Sequence, residues 1–175
     1  LAKVSEIKPD IVVLPHPDDS TEDVQRIRQA ILSASAQSAS LEIGYEIPEM
    51  FREANLFHLL SQANIEQKEA ALKEHESQMQ RLAFDEATLA SNAASASLLE
   101  VLTGRRAPSG TLAERFVYAK MERGALKMVE PGKTFVMGDE TAQDPGLSFL
   151  SEQSTVVFVS PHPDDAEIAG SGFLA

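Results

Sequence analysis

Two unbroken apolar runs, each leading into the same five-residue loop, constrain this chain more than any other feature. Ile11-Val12-Val13-Leu14 precedes Pro15-His16-Pro17-Asp18-Asp19, and Val156-Val157-Phe158-Val159-Ser160 precedes Pro161-His162-Pro163-Asp164-Asp165. A short apolar run rich in β-branched residues, with no polar alternation, predicts a strand buried on both faces, as in a parallel sheet. The prolines and aspartates that follow predict a loop. In an open α/β sheet, ligands bind outside the carboxyl ends of the strands. If both strands join one parallel sheet, both loops sit on that edge.

The rest of the chain supplies helices and further strands in the alternation that marks an α/β fold. Lys3 to Ile7 reads as the last turn of a helix closed by Pro9. Val24, Ile27, Ala30, Ile31 and Ala34 recur at helical spacing and predict a helix from about Glu22 to Ala36. Ser20 or Thr21 is its cap, and Glu22 and Asp23 suit the positive end of its dipole. Leu41 to Ile47 is a second strand, stopped by Pro48. Leu56 to Leu82 reads as one long helical stretch, and Phe84 to Leu102 as a second helix ended by Gly104. Gly110 to Arg123 is ambiguous between helix and strand. Pro131 to Ser154, with its glycines, prolines and acidic residues, reads as a linker or surface excursion.

Composition narrows the chemistry. The 175 residues suffice for one ordinary domain with a real core, and 43% are apolar. There are no cysteines, which excludes disulfides, zinc-thiolate sites and a thiol nucleophile. Any metal must be held by nitrogen and oxygen. A formal charge of -12 disfavours a nucleic-acid partner. No apolar run approaches the roughly 20 residues that span a bilayer, and the first residues do not resemble a secretory signal. The expected location is cytoplasmic, an expectation weakened by a first residue, Leu1, that hints at trimming.

The loops carry the chemistry. His162 and Asp165, three residues apart on a turn stiffened by two prolines, can converge on one cation. Imidazole and carboxylate are good zinc ligands, and a catalytic zinc commonly takes three protein ligands plus water. The metal acidifies that water and polarises a carbonyl, and the neighbouring Asp164 can accept its proton. Metal-dependent hydrolysis is the expectation. Pro-Asp-Asp after a strand is also a plain helix-capping turn. The flanking histidine, the two prolines and the buried strand favour the metal reading for 161–165.

Pro161-His162-Pro163-Asp164-Asp165-Ala166-Glu167-Ile168 after an apolar strand resembles the opening of the PIG-L/LmbE-like N-deacetylases. The resemblance implies a Rossmann-like parallel sheet flanked by helices, incomplete in this chain. It also implies zinc or another divalent cation held by His162 and Asp165, Asp164 as general base, and an N-acetylglucosamine-type conjugate as substrate. Lys8-Pro9-Asp10-Ile11-Val12-Val13, Tyr45-Glu46-Ile47-Pro48, the stretch around Lys68 to Gln78 and Ala113-Glu114-Arg115-Phe116 are similar to the later half of that family. Residues 1–130 thus resemble its C-terminal half, 131–153 a linker, and 154–175 its opening strand, loop and helix.

The resemblance has departures. At Ala169-Gly170-Ser171-Gly172 only Gly172 matches the family's glycine-rich helix start. A third zinc ligand would come from a His-x-x-His-like element after the first loop, where Thr21 and Val24 stand instead. The order of the halves is also reversed. The chain is then a piece of a tandem protein, a rearrangement whose two loops share one site with His16 or Asp19 standing in for the missing ligand, or a non-catalytic relative. The two functional expectations are an N-deacetylase-type metal hydrolase and a non-catalytic α/β binding or scaffold module, next to a neighbouring domain or in a homo-oligomer. Of the other histidines, His58 is expected at the edge of the core and His75 half-buried or lining a cleft. The charges from Glu66 to Glu76, Lys68 among them, read as a solvated helix face.

Overall fold

Ile11–Pro15 forms β1, and every residue of it is buried, as an unbroken apolar run requires. The computed structural model describes residues 2–16, 21–35, 41–45, 54–75, 83–122, 125–128, 132–138 and 154–161. Before β1, helix α1 (Ala2–Ile7) ends at Lys8, whose φ of 52° is left-handed. The Lys8 amide donates to the Val4 carbonyl at 3.1 Å, the closing bond of a left-handed helix terminus. Pro9 then prevents continuation.

Helix α2 (Glu22–Ser35) connects β1 to β2 (Leu41–Tyr45), which pairs with β1 in parallel, Ile11 opposite Leu41 and Pro15 opposite Tyr45. Val24, Arg28, Ile31 and Ser35 form the buried stripe of α2. Ile31 packs with Val4, Val12 and Leu14 on one face of the sheet.

The stretch read as one helix from Leu56 to Leu82 begins instead with strand β3 (Leu56–Leu60). Ser61 separates the two forms. Its hydroxyl accepts from the Asn64 amide at 3.1 Å and its own amide donates to Asn64 Oδ1 at 3.0 Å, a capping box that starts α3 (Gln62–Lys73). Helix α4 (Phe84–Thr103) follows and ends at Gly104, with φ 66° and its amide donating to Glu100 O at 2.9 Å.

Between β3 and the next strand the described residues form the helices α3 and α4. Strand β4 (Leu112–Glu122), in the segment ambiguous by sequence, runs antiparallel to both β2 and β3. The sheet is mixed rather than wholly parallel for this reason. Strand β5 (Ala125–Met128) folds back along the end of β4, and β6 (Phe135–Met137), inside the glycine- and proline-rich stretch, pairs in parallel with β3. Strand β7 (Val156–Phe158) pairs in parallel with β1. The strand order is β6-β3-β4-β2-β1-β7, with β5 beside β4.

Asn55 bridges the gap on β4 between β3 and β5. Its Nδ2 donates to the Tyr118 carbonyl at 3.0 Å and its Oδ1 accepts from the Tyr118 amide at 2.6 Å. A side-chain amide here replaces a strand residue in the ladder. The main core lies on the face bearing Ile11, Val13, Ile43, Tyr45, Leu56, Phe116, Tyr118 and Phe135.

Candidate functional site

The carboxyl ends of β1 and β7 lie side by side, because the two strands pair directly and in the same direction. Several hydrogen bonds fix where their loops depart. The His16 amide donates to Tyr45 O at 3.0 Å, and the Val159 amide to Val13 O at 2.9 Å. Arg28 Nε donates to the Pro15 carbonyl at 3.1 Å, and Gln25 Nε2 to the His16 carbonyl at 3.2 Å. Tyr45 Oη donates to Val159 O at 2.5 Å, and its ring stacks on Phe158 with centroids 4.9 Å apart. His16 is half-buried and leans over Gly44, where an added Cβ would stand 3.5 Å from its Cδ2.

The two copies are not equivalent in the sheet. The pentapeptides align Val13 with Val159, but the strand register sets Val13 opposite Phe158. A slip of one residue moves a side chain to the other face. Phe158 accordingly packs with the Val13 face, and Val159 packs with Val12 and Leu14 on the opposite one.

His162, Asp164 and Asp165, the expected ligands and base, lie outside the described residues, as does Asp19. The positions expected to supply a third ligand are described. Thr21 is exposed just before α2, and Val24 is 1% exposed, sealed into the core stripe of that helix. Among the described residues no group of three or more His, Asp or Glu side chains is placed to hold a metal.

The structure brings together two buried charge pairs that pattern reading missed. Arg28 on α2 pairs with Glu42 on β2, both almost fully buried. Burial pushes the Glu42 carboxyl above its usual range, against the opposing pull of the Arg28 guanidinium, and Glu42 Oε2 has no hydrogen-bond partner. Through its bond to Pro15 O, Arg28 couples this pair to the first loop. A sequence signal existed: Arg28 sits four residues after Val24 and three before Ile31, inside an apolar stripe.

Lys68 on α3 pairs with Glu114 on β4 at 2.6 Å, and both side chains are 0% exposed. Lys68 is therefore a core residue, not part of a solvated face. Burial lowers its ammonium pKa, with Glu114 opposing the shift. His58 on β3 stands across from Glu114, its Nδ1 3.8 Å from the second carboxylate oxygen.

What the described residues define is a mixed α/β protein with helices against a seven-stranded sheet, two buried ion pairs in its core, and two adjacent parallel strands that like-sequenced segments follow in the chain. No family model, curated protein or solved structure matches the chain. No helix among the described residues is long and apolar enough to cross a membrane.

Proposed function

We propose that this chain is a non-catalytic α/β binding or scaffold module related to the PIG-L/LmbE-like deacetylases. The observation that carries this reading is Val24. The position that would complete a three-ligand zinc site from the first loop holds an aliphatic side chain packed in the core. Two ligands alone leave a catalytic zinc weakly held. The one-residue slip between β1 and β7 adds support, since it turns equivalent positions of the two copies to opposite faces. The parallel run of β7, β1 and β2, with α2 crossing between β1 and β2, is the part of the fold that favours a Rossmann-like ancestry, and a cytoplasmic setting belongs to the same reading.

Metal analysis after dialysis against buffered zinc tests it. The expected result is zinc well below one equivalent and no hydrolysis of an N-acetylglucosamine conjugate. One retained zinc per chain, lost in Asp165→Ala, together with turnover lost in Asp164→Asn, would overturn it.

A metal-hydrolase reading rests on a different observation, the direct parallel pairing of β1 with β7. That pairing puts the carboxyl ends of the two strands, which the Pro-His-Pro-Asp-Asp segments follow in sequence, side by side. Under this reading His162 and Asp165 bind zinc or another divalent cation, Asp164 takes the proton of the bound water, and His16 completes the set. It requires His16→Ala to weaken zinc binding as severely as His162→Ala.

A further inference from the structure

We propose that the outer edge of β7 is an interface with a second copy of this chain, formed by antiparallel pairing of β7 with its symmetry mate. In β7 the groups of residues 155, 157 and 159 face β1, as the bonds Ile11 N to Thr155 O and Val159 N to Val13 O show. By the alternation of a parallel ladder, the amides and carbonyls of Val156 and Phe158 face outward. Among the described residues, no strand pairs with that side.

The sequence of β7 is that of a strand covered on both sides, yet Val156 is 39% exposed and its apolar neighbours are only half-buried. Exposed edges are ordinarily guarded by charge, proline or a bulge. From Ser154 to Ser160 the chain has neither a charge nor a proline. The opposite edge strand, β6, differs: Lys133 lies 4.6 Å over the Phe135 ring, and Gly138, at φ 77°, ends the strand.

A second copy fits this edge for two reasons. A two-fold axis at Val157 sets Val156 opposite Phe158 of the mate, and outward-facing residues directly opposite each other exchange both hydrogen bonds. Four bonds then satisfy all the outward groups of both strands, and an isologous contact of this kind closes on itself. Each copy also carries a charge of -12, so two copies approach with least repulsion along a segment that, from Ser154 to Ser160, bears no charge of its own. A contact this small is weak, with a dissociation constant in roughly the micromolar to millimolar range.

Sedimentation equilibrium over a concentration series tests the interface, alongside amide exchange at Val156 and Phe158. The expected result is a monomer–dimer equilibrium strengthened by salt, with slower exchange at both amides as dimer accumulates. Val156→Pro removes only an outward amide and leaves the β1 ladder intact. It should raise the dissociation constant at least about tenfold, with an unchanged far-UV spectrum. A monomer at every concentration overturns the proposal. So does a dimer indifferent to Val156→Pro, or protection of both amides already in the monomer, which would mean that the chain covers its own edge. Where Val156→Pro fails to fold, exchange in the unsubstituted chain decides.

Discussion

Replacing Lys68 by Met should be among the most damaging single changes in this protein, and replacing its partner as well should undo most of the damage. Lys68 and Glu114 are each 0% exposed and 2.6 Å apart. Met has a similar volume and fills the site, so the cost is electrostatic. The substitution strands the Glu114 carboxylate in the core, with His58 Nδ1 at 3.8 Å in place of an ammonium in contact. Breaking a buried pair from one side costs about 3–5 kcal/mol, whereas exchanging both partners for apolar residues is often neutral or better. For a chain of this size that is a fall in midpoint of about 6–20 °C. The chain has no tryptophan, so urea and thermal unfolding are best followed by far-UV circular dichroism. Lys68→Met should lose about 3–5 kcal/mol, Glu114→Leu a similar amount, and the double variant about 1 kcal/mol. The pH dependence has a definite sign. In the folded protein burial lowers the Lys68 pKa, so between that lowered value and 10.5 the unfolded chain binds more protons and stability rises with pH. The advantage of the wild type over Lys68→Met should grow as pH rises through that window. Additive single effects in the double-mutant cycle would show that the two groups do not depend on each other, and the reasoning would fail.

Asn55→Ala removes the side chain that serves Tyr118 in place of a strand residue. Leaving that buried amide and carbonyl unserved should cost about 2–4 kcal/mol in urea unfolding, with the β4 amides near Tyr118 losing exchange protection first. Glu42→Gln should show the opposite pH sign to the lysine variant. The folded Glu42 pKa is raised above 4.5, so its contribution is full below pH 4.5 and is lost as pH rises through the raised value. Unfolding free energies measured from pH 4 to 8 should therefore show the wild type losing ground to Glu42→Gln as pH increases.

The parts of this fold legible in the sequence are those whose burial is uniform. β1, β2, the apolar stripe of α2 and the long α4 with its terminal Gly104 follow from runs or periodicities that a single face explains, whereas β7 is legible as a strand but not in its burial, which the unbroken apolar run overstates: Val156 is 39% exposed. Leu56–Leu60 was lost in the helix that follows it because a five-residue apolar strand and a buried helical turn look alike by periodicity. The boundary signal at Ser61 is real, but its partner is Asn64 rather than the Glu or Gln that marks the usual capping box. β4 stayed ambiguous because Glu114 and Arg115, both buried, break the apolar pattern at the middle of the sheet. Lys68 was unreadable for the complementary reason: its neighbours Glu66, Glu69 and Lys73 do form pairs on the helix surface, and only the sheet beneath α3 shows that it turns inward.

The candidate site divides in the same way. That two strands with a common following segment could share a sheet was legible from their unbroken apolar runs, but their direct pairing, and the place of β7 at the end of the described strand order, were not. Their register was not legible, because it is set by packing rather than by the repeat. Phe158 stacks on Tyr45, and Tyr45 Oη holds the Val159 carbonyl. Together these contacts select Phe158, and not Val159, as the residue opposite Val13. A bulky ring on the core face thus takes precedence over alignment of the two loops. Selection for a shared ion would instead keep the loops in step, since a ligand displaced by even about 1 Å forfeits much of its bond. A packing-determined slip beside Val24 in the core is what a module relieved of metal chemistry would be free to adopt. The same logic makes Tyr45→Phe informative: if zinc affinity, wherever it resides, rose on loss of that hydroxyl, the slip would be a restraint on a latent site rather than a sign of its loss.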